Sequence, residues 1–267
     1  MRIARFAADG DLAYGAVELA EDGGANPETV AVLTGDPLAG PVQLTGERLH
    51  LADVRLVAPV IPRSKVACAG KNYADHVAEF GGSVPPEPVI FFKPNTSVIG
   101  PGEPIVRPPE THRLDFEGEL AVVIGRICRR VPTDRVAEVI FGYTVANDVT
   151  CRDLQGQDGQ WTRAKGFDTF CPLGPWIVTH LSLDEAGNLD LRTSVNGEIR
   201  QDVNTRLLLH GIAPLIAQVS AFTTLLPGDV VLTGTPAGVG ELVPGDSVTV
   251  EIDGIGTLTN PVVDESV

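Results

Sequence analysis

Short runs of alternating apolar and polar residues, each closed by Gly, Pro, Asn or Asp, fill most of this chain and predict strands far more often than helices. Residues 3–6, 12–19 and 30–33 read as strands joined by acidic, Gly-rich turns. Pro59 and Pro62 then punctuate the chain. A boundary there divides a small β-rich N-terminal domain, residues 1–60, from a larger one over residues 61–267. Beyond it, Val195-Asn196-Gly197-Glu198-Ile199 carries the Asn-Gly of a type I′ hairpin turn, and Ile252-Asp253-Gly254-Ile255 is a second hairpin signal. Helical patterns cover only residues 73–80, residues 133–140 with Thr133 as N-cap, and residues 207–222, where Pro214 delays or kinks the helix. The expected fold class is mostly β (α+β), a roll or barrel with peripheral helices.

One strand-like run carries unusual chemistry. In Leu114-Asp115-Phe116-Glu117-Gly118-Glu119-Leu120-Ala121-Val122-Val123-Ile124, a strand's period of two sends Glu117 and Glu119 out of the same face. Two carboxylates so placed repel unless something positive lies between them, and a hard divalent cation suits the position. Asp148, near the end of a second apolar stretch, can supply a third oxygen. An all-oxygen set without nearby Cys or His favours Mg²⁺ or Mn²⁺ over Zn²⁺. The same pattern also fits two solvated glutamates on the polar face of a half-buried strand.

Composition narrows the field of partners. The 267 residues are 43% hydrophobic and 21% charged, with no apolar run near the ~18 residues a membrane span needs and no signal-peptide core at the N-terminus, so a cytoplasmic protein is expected. Cys68, Cys128, Cys151 and Cys171 form no C-x-x-C pair and are expected to be buried, reduced thiols. A formal charge of −15 disfavours nucleic acid and anionic membranes as partners but allows a small anionic substrate at a locally positive site. Only four of the 20 basic residues are lysines, at 65, 71, 93 and 165. Three of these fall in segments singled out on other grounds, where a compact ammonium beside an oxyanion is a role for Lys rather than Arg. Uneven composition alone also produces such a pattern.

Two further segments invite a functional reading. Thr233-Gly234-Thr235-Pro236-Ala237-Gly238-Val239-Gly240 lacks the Gly-Lys-Ser/Thr of a P-loop and leads into a turn, not a helix, so nucleotide binding is set aside. It reads either as a tight structural turn or as a loop whose amides and Thr235 hydroxyl approach a substrate carboxylate. On a helix over residues 73–80, His76 and Glu79 share a face, so the carboxylate can orient the imidazole as a base that activates water. A surface His–Glu pair has the same spacing. The Gly81-Gly82 and Pro85-Pro86 that follow are hinge-like and fit a helix that orders over a ligand, or an inert loop.

These blocks together resemble the fumarylacetoacetate hydrolase superfamily, in its prokaryotic acylpyruvase, oxaloacetate decarboxylase and 2-hydroxyhepta-2,4-diene-1,7-dioate isomerase branch. The resemblance runs from about Lys65 to the C-terminus. It rests on Gly70-Lys71-Asn72-Tyr73-Ala74-Asp75-His76, Phe92-Lys93-Pro94, Asp115-Phe116-Glu117-Gly118-Glu119-Leu120, Asn147-Asp148-Val149-Thr150 with Arg152-Asp153, Ala164-Lys165-Gly166-Phe167-Asp168, and Leu232-Thr233-Gly234-Thr235-Pro236. It implies the family's mixed β-sandwich roll as a homodimer, with Glu117, Glu119 and Asp148 as Mg²⁺ or Mn²⁺ ligands and His76, Glu79 and Lys165 as catalytic residues. Lys71, Tyr73, Lys93, Arg152 and Thr235 are implied at the substrate. The first sixty residues resemble only a small, variable extra domain of some members.

The chemistry that suits these residues begins with a 2-oxo acid, whose carboxylate and 2-oxo oxygens can fill open positions on a carboxylate-held cation. Breaking its C3–C4 bond leaves a pyruvate enolate, whose charge the cation and the Lys165 ammonium are suited to stabilise. The expected reaction is therefore carbon–carbon hydrolysis of an acylpyruvate, with His76 and Glu79 activating the water. Decarboxylation of oxaloacetate and isomerisation of 2-hydroxyhepta-2,4-diene-1,7-dioate or 5-carboxymethyl-2-hydroxymuconate in aromatic catabolism use the same platform. A protein that holds 2-oxo acids without turning them over is the reading from a different class.

Overall fold

A computed structural model describes residues 1–20 and 28–266, so the acidic turn at residues 21–27 lies outside the described residues. The β-rich expectation holds. A 12-stranded sheet dominates, and its central strands run in the order Cys171–Val178, Ile140–Asn147, Gly118–Ile124, Val230–Leu232, Val66–Gly70. Most neighbours are antiparallel, whereas Val230–Leu232 and Val66–Gly70 pair in parallel. Leu120, Val122 and Ile124 enter one core cluster with Leu215, Ile216 and Val219 of the helix Ile212–Phe222, while Ala121 and Val123 enter another with Cys68, Val230 and Leu232. Both faces of this central strand are thus covered, and neither is a polar, solvated face.

The N-terminal strands join the same sheet. Arg2–Ala8 pairs with Cys171–Val178 through Arg2↔Val178, and Asp11–Glu18, Thr29–Leu33 and Leu44–His50 extend the sheet outward. Both hairpin signals form hairpins. Asn196 and Gly197 take φ of 52° and 83° between the paired Val195 and Glu198, as a type I′ turn requires, and Ile252 pairs with Gly256 across the second turn.

Three local expectations are corrected. Residues 114–124 are two strands, not one: Leu114–Phe116 belongs to a three-stranded sheet with Thr150–Cys151 and Gly240–Leu242, and Gly118–Ile124 belongs to the large sheet. Glu117 stands where the chain passes from one sheet to the other. Residues 133–140 are no α-helix: Thr133–Glu138 is a 3₁₀ turn whose N-cap is Pro132, with only Val136 buried, and Ile140 already begins a strand. One buried side chain cannot outweigh the sheet's hold on the apolar run that follows. The helix expected over residues 207–222 begins at Ile212, and Pro214 lies in its first turn, where its missing N–H leaves nothing unpaired. The helices Arg152–Asp158 and Thr162–Gly166 were not expected, because Arg152-Asp153-Leu154-Gln155-Gly156-Gln157-Asp158 shows no apolar stripe. Both lie beside the site described next.

Candidate active site

Strands Gly118–Ile124 and Ile140–Asn147 end together, with Gly118 paired to Asn147. The next residues outward, Glu117 and Asp148, therefore meet, and the Asp148 N–H donates to the Glu117 carbonyl at 2.8 Å. Asn147 Oδ1 accepts from the Glu117 N–H at 2.9 Å and holds the crossing from its other side. One carboxylate oxygen from each of Glu117, Glu119 and Asp148 lies within 4.8 Å of the others, and all three residues are buried. Gly118 is required between the glutamates, since a Cβ there would fall 2.1 Å from Thr193 Oγ1.

Three buried carboxylates need compensating charge, and cations meet two of them. Lys165 is 2% exposed and donates to Glu117 Oε2 at 2.8 Å, Asp148 Oδ2 at 2.7 Å and Thr150 Oγ1 at 2.8 Å, which uses all its protons. Burial works against its charge, but the Asp148 and Glu117 carboxylates outweigh burial and hold the Lys165 proton more tightly than usual. Arg152 donates to Glu117 Oε1 at 2.7 Å, to Asp115 Oδ2 at 2.9 Å and to Gln155 Oε1 at 2.8 Å. Against burial, Lys165 and Arg152 keep the Glu117 carboxyl well below the ordinary range. Lys93, expected at the substrate, is not on the cavity wall. Its ammonium lies behind Asp148, 2.7 Å from Oδ1 though poorly angled for a hydrogen bond, and donates to the carbonyls of Val149, Lys165 and Phe170.

Glu119 is left over. It is 2% exposed, and its partner is the Gly234 N–H at 2.6 Å; among the described residues no cationic side chain pairs with it. Burial, then the Asp148 and Glu117 charges, push its carboxyl well above the ordinary value. An unpaired buried carboxylate costs several kcal/mol, and a divalent cation among the three oxygens would offset that cost. The donors are all hard oxygens, so the site fits Mg²⁺ or Mn²⁺.

A cavity of about 390 Å³ opens onto the trio, walled also by Lys71, His76, Val77, Phe80, Arg152, Gln155, Trp161, Lys165 and Thr235. His76 and Glu79 lie on the short helix Ala74–Glu79, with His76 Nδ1 3.3 Å from Glu79 Oε2. The other Glu79 oxygen accepts from the Gly238 N–H at 3.1 Å. Tyr73 is buried before that helix and does not line the cavity; burial and then Glu119 push its phenol up. In the loop over residues 233–240 the Gly234 N–H holds Glu119, and Thr235, which lines the cavity, donates its hydroxyl to the Gly118 carbonyl at 3.0 Å.

Sequence reasoning passed over several cavity and support residues. Asp115 anchors Arg152, and Gln155 joins it on the wall. Trp161 packs edge-on against Phe91 with ring centroids 5.3 Å apart, and a Cβ on Gly70 would meet its ring at 2.5 Å. Motif position could have flagged Asp115, which lies two residues before Glu117. The Trp161 wall had no sequence signal, because Gly70 and Trp161 meet only in the fold and lie far apart in sequence.

Residues 65–263 match the family described as Fumarylacetoacetate (FAA) hydrolase C-terminal, and residues 1–59 match one described as Rv2993c-like, N-terminal. The chain is 52% identical over 263 residues to Protein Rv2993c of Mycobacterium tuberculosis, covering 98% of each. It is 45% identical to the mitochondrial oxaloacetate tautomerase Fahd2a of Rattus norvegicus, over 79% of this chain and 70% of that one. Among solved structures, 5-carboxymethyl-2-hydroxymuconate delta-isomerase from Mycobacterium smegmatis superposes with a TM-score of 0.89 at 51% identity, covering 99% of this chain and 100% of that one. Maleylpyruvate hydrolase from Sphingobium sp. SYK-6, in complex with manganese (II) ion and pyruvate, superposes with a TM-score of 0.79 at 32% identity, covering 100% of each chain.

Proposed function

The chain belongs to the fumarylacetoacetate hydrolase family, and we propose that it is a divalent-cation-dependent enzyme that moves a proton at the carbon beside the 2-oxo group of a small 2-oxo dicarboxylate. The observation that carries this reading is one cavity holding an imidazole backed by a carboxylate, His76 with Glu79, and a buried ammonium paired with two of three clustered carboxylates. When bound, the cation held by Glu117, Glu119 and Asp148 supplies Lewis-acid polarisation of the substrate's oxygens. Lys165 adds a fixed positive charge where negative charge develops as the proton leaves. With Glu79 accepting from Nδ1, His76 keeps Nε2 free to take that proton and return it at another carbon or at oxygen. Tautomerase and isomerase names among the relatives support this order of preference.

Carbon–carbon hydrolysis is the second reading. The same His76–Glu79 pair can deprotonate water for attack on a carbonyl beyond C3, and the maleylpyruvate hydrolase likeness favours it. The deciding experiment assays the protein, stripped of metal and then loaded with Mn²⁺ or Mg²⁺, on oxaloacetate tautomerisation, 5-carboxymethyl-2-hydroxymuconate isomerisation and acylpyruvate hydrolysis. Turnover of none of them by the loaded protein sinks the proposal and leaves the non-catalytic binding protein.

Lys71 addresses the substrate's far end. It stands exposed at the cavity rim, with no acidic partner among the described residues, in a left-handed conformation of φ 59° that costs a non-glycine residue about 1–2 kcal/mol. A second carboxylate on the substrate would pair with it. Lys71→Met is expected to raise KM for a dicarboxylate roughly 5–10-fold, the range from an exposed ion pair to a charge-assisted hydrogen bond, while kcat changes little. Equal KM values for wild type and variant would remove Lys71 from the binding site.

A further inference from the structure

Gln201 lies on the strand Glu198–Asn204, 1% exposed, and is not part of the cavity wall. Its Oε1 accepts from the Gly118 N–H at 3.0 Å, and its Nε2 donates to Thr235 Oγ1 and to the Pro236 carbonyl, each at 2.9 Å. Thr235 Oγ1 in turn donates to the Gly118 carbonyl at 3.0 Å, which closes a ring of hydrogen bonds around Gly118. The amide's orientation follows from its partners, since the Gly118 N–H can only donate and the Pro236 carbonyl can only accept.

The ring acts on the two peptide groups that flank Gly118. Gln201 holds the one that follows Glu117, and Thr235 holds the one that precedes Glu119, so together they set the directions in which both carboxylates leave the backbone. Gln201 also pins Pro236 within the loop whose Gly234 N–H holds Glu119 and whose Gly238 N–H holds Glu79. We propose that Gln201 is a positioning residue that aims Glu117 and Glu119 at the cation and fixes the loop carrying the Glu79 contact. No other side chain of this length offers one strong acceptor and two donors: ionised Glu cannot donate, and Met has no donor and only a weakly accepting sulfur.

The inference rests on the reading of Glu117, Glu119 and Asp148 as a divalent-cation site. Mn²⁺ binding is measured by calorimetry on folded wild type, Gln201→Met and Thr235→Val, with backbone hydrogen exchange followed at Gly238 and along residues 74–79. Loss of partners that orient metal ligands costs about 10–100-fold in affinity, so Gln201→Met is expected to bind Mn²⁺ that much more weakly and to exchange faster at Gly238. Thr235→Val, which breaks the same ring but leaves the Pro236 contact, is expected to weaken Mn²⁺ binding with Gly238 exchange unchanged. A glutamine that merely satisfies the core lowers the melting temperature without moving Mn²⁺ affinity, and that result in Gln201→Met overturns the proposal. Should Gln201→Met not fold, wild-type Mn²⁺ affinity in Thr235→Val overturns it instead. Wild-type protein that takes up no Mn²⁺ overturns the cation site and this role together, whereas unchanged affinity in the variants overturns the positioning role alone.

Discussion

Glu119→Gln is expected to abolish measurable Mn²⁺ or Mg²⁺ uptake, and with it turnover, while the folded protein persists. Removing a direct ligand exceeds the roughly 10–100-fold effect of losing an outer partner. The variant also relieves the cation-free protein, because among the described residues Glu119 has no cationic partner, and it faces the Asp148 and Glu117 charges. Its melting temperature without metal should equal or exceed the wild-type value, and added Mn²⁺ should no longer raise it. The pH dependence follows in sign. The Glu119 carboxyl is raised above its ordinary value, so below that raised value a cation must displace a proton to bind. Wild-type affinity should therefore climb with pH and level off once Glu119 is ionised without the cation, with proton release visible as buffer-dependent binding enthalpy. Glu119→Gln should lose that proton release. Wild-type activity that survives exhaustive chelation would falsify the assignment.

The fold class was readable because period-two alternation and turn residues dominate the chain, and they act locally. Glu117, Glu119 and Asp148 were readable as a group because two of them share one short run and the third directly follows the neighbouring strand. The break at Glu117 was not, since the two sheets it joins and the close approach of Gly118 to Thr193 beside it are set by residues far apart in sequence. Lys93 and Arg152 show a second limit. The bias toward Arg marked the lysines as special, but residue type alone does not separate a cation that meets substrate from one that supports a carboxylate. Lys93 backs Asp148 from outside the cavity, whereas Arg152 lines the cavity while it donates to Glu117, Asp115 and Gln155. Gln201 shows the same limit from the other side, because an amide in Ile199-Arg200-Gln201-Asp202 gives no hint that its partners are Gly118 and Pro236.

His76→Ala is expected to cost proton transfer to and from the substrate about 10²–10⁴-fold in kcat, the usual loss for a general base. Mn²⁺ affinity should stay at the wild-type value, because His76 is outside the carboxylate trio. The contrast between reactions is sharper than the loss itself. Tautomerisation, isomerisation and hydrolysis each need a base to take a proton, from carbon or from water. Loss of carbon dioxide from oxaloacetate needs no such base, only a positive site to receive the negative charge left behind, and Lys165 keeps its proton with or without His76. Decarboxylation should thus fall far less than the other activities. The measurement is kcat and KM for oxaloacetate decarboxylation and for the best proton-transfer substrate, in wild type and His76→Ala, at saturating Mn²⁺. Equal losses in both reactions would mean that His76 works by holding the Ala74–Glu79 helix over the cavity, where it packs on Phe80 with ring centroids 5.2 Å apart, and not by moving a proton.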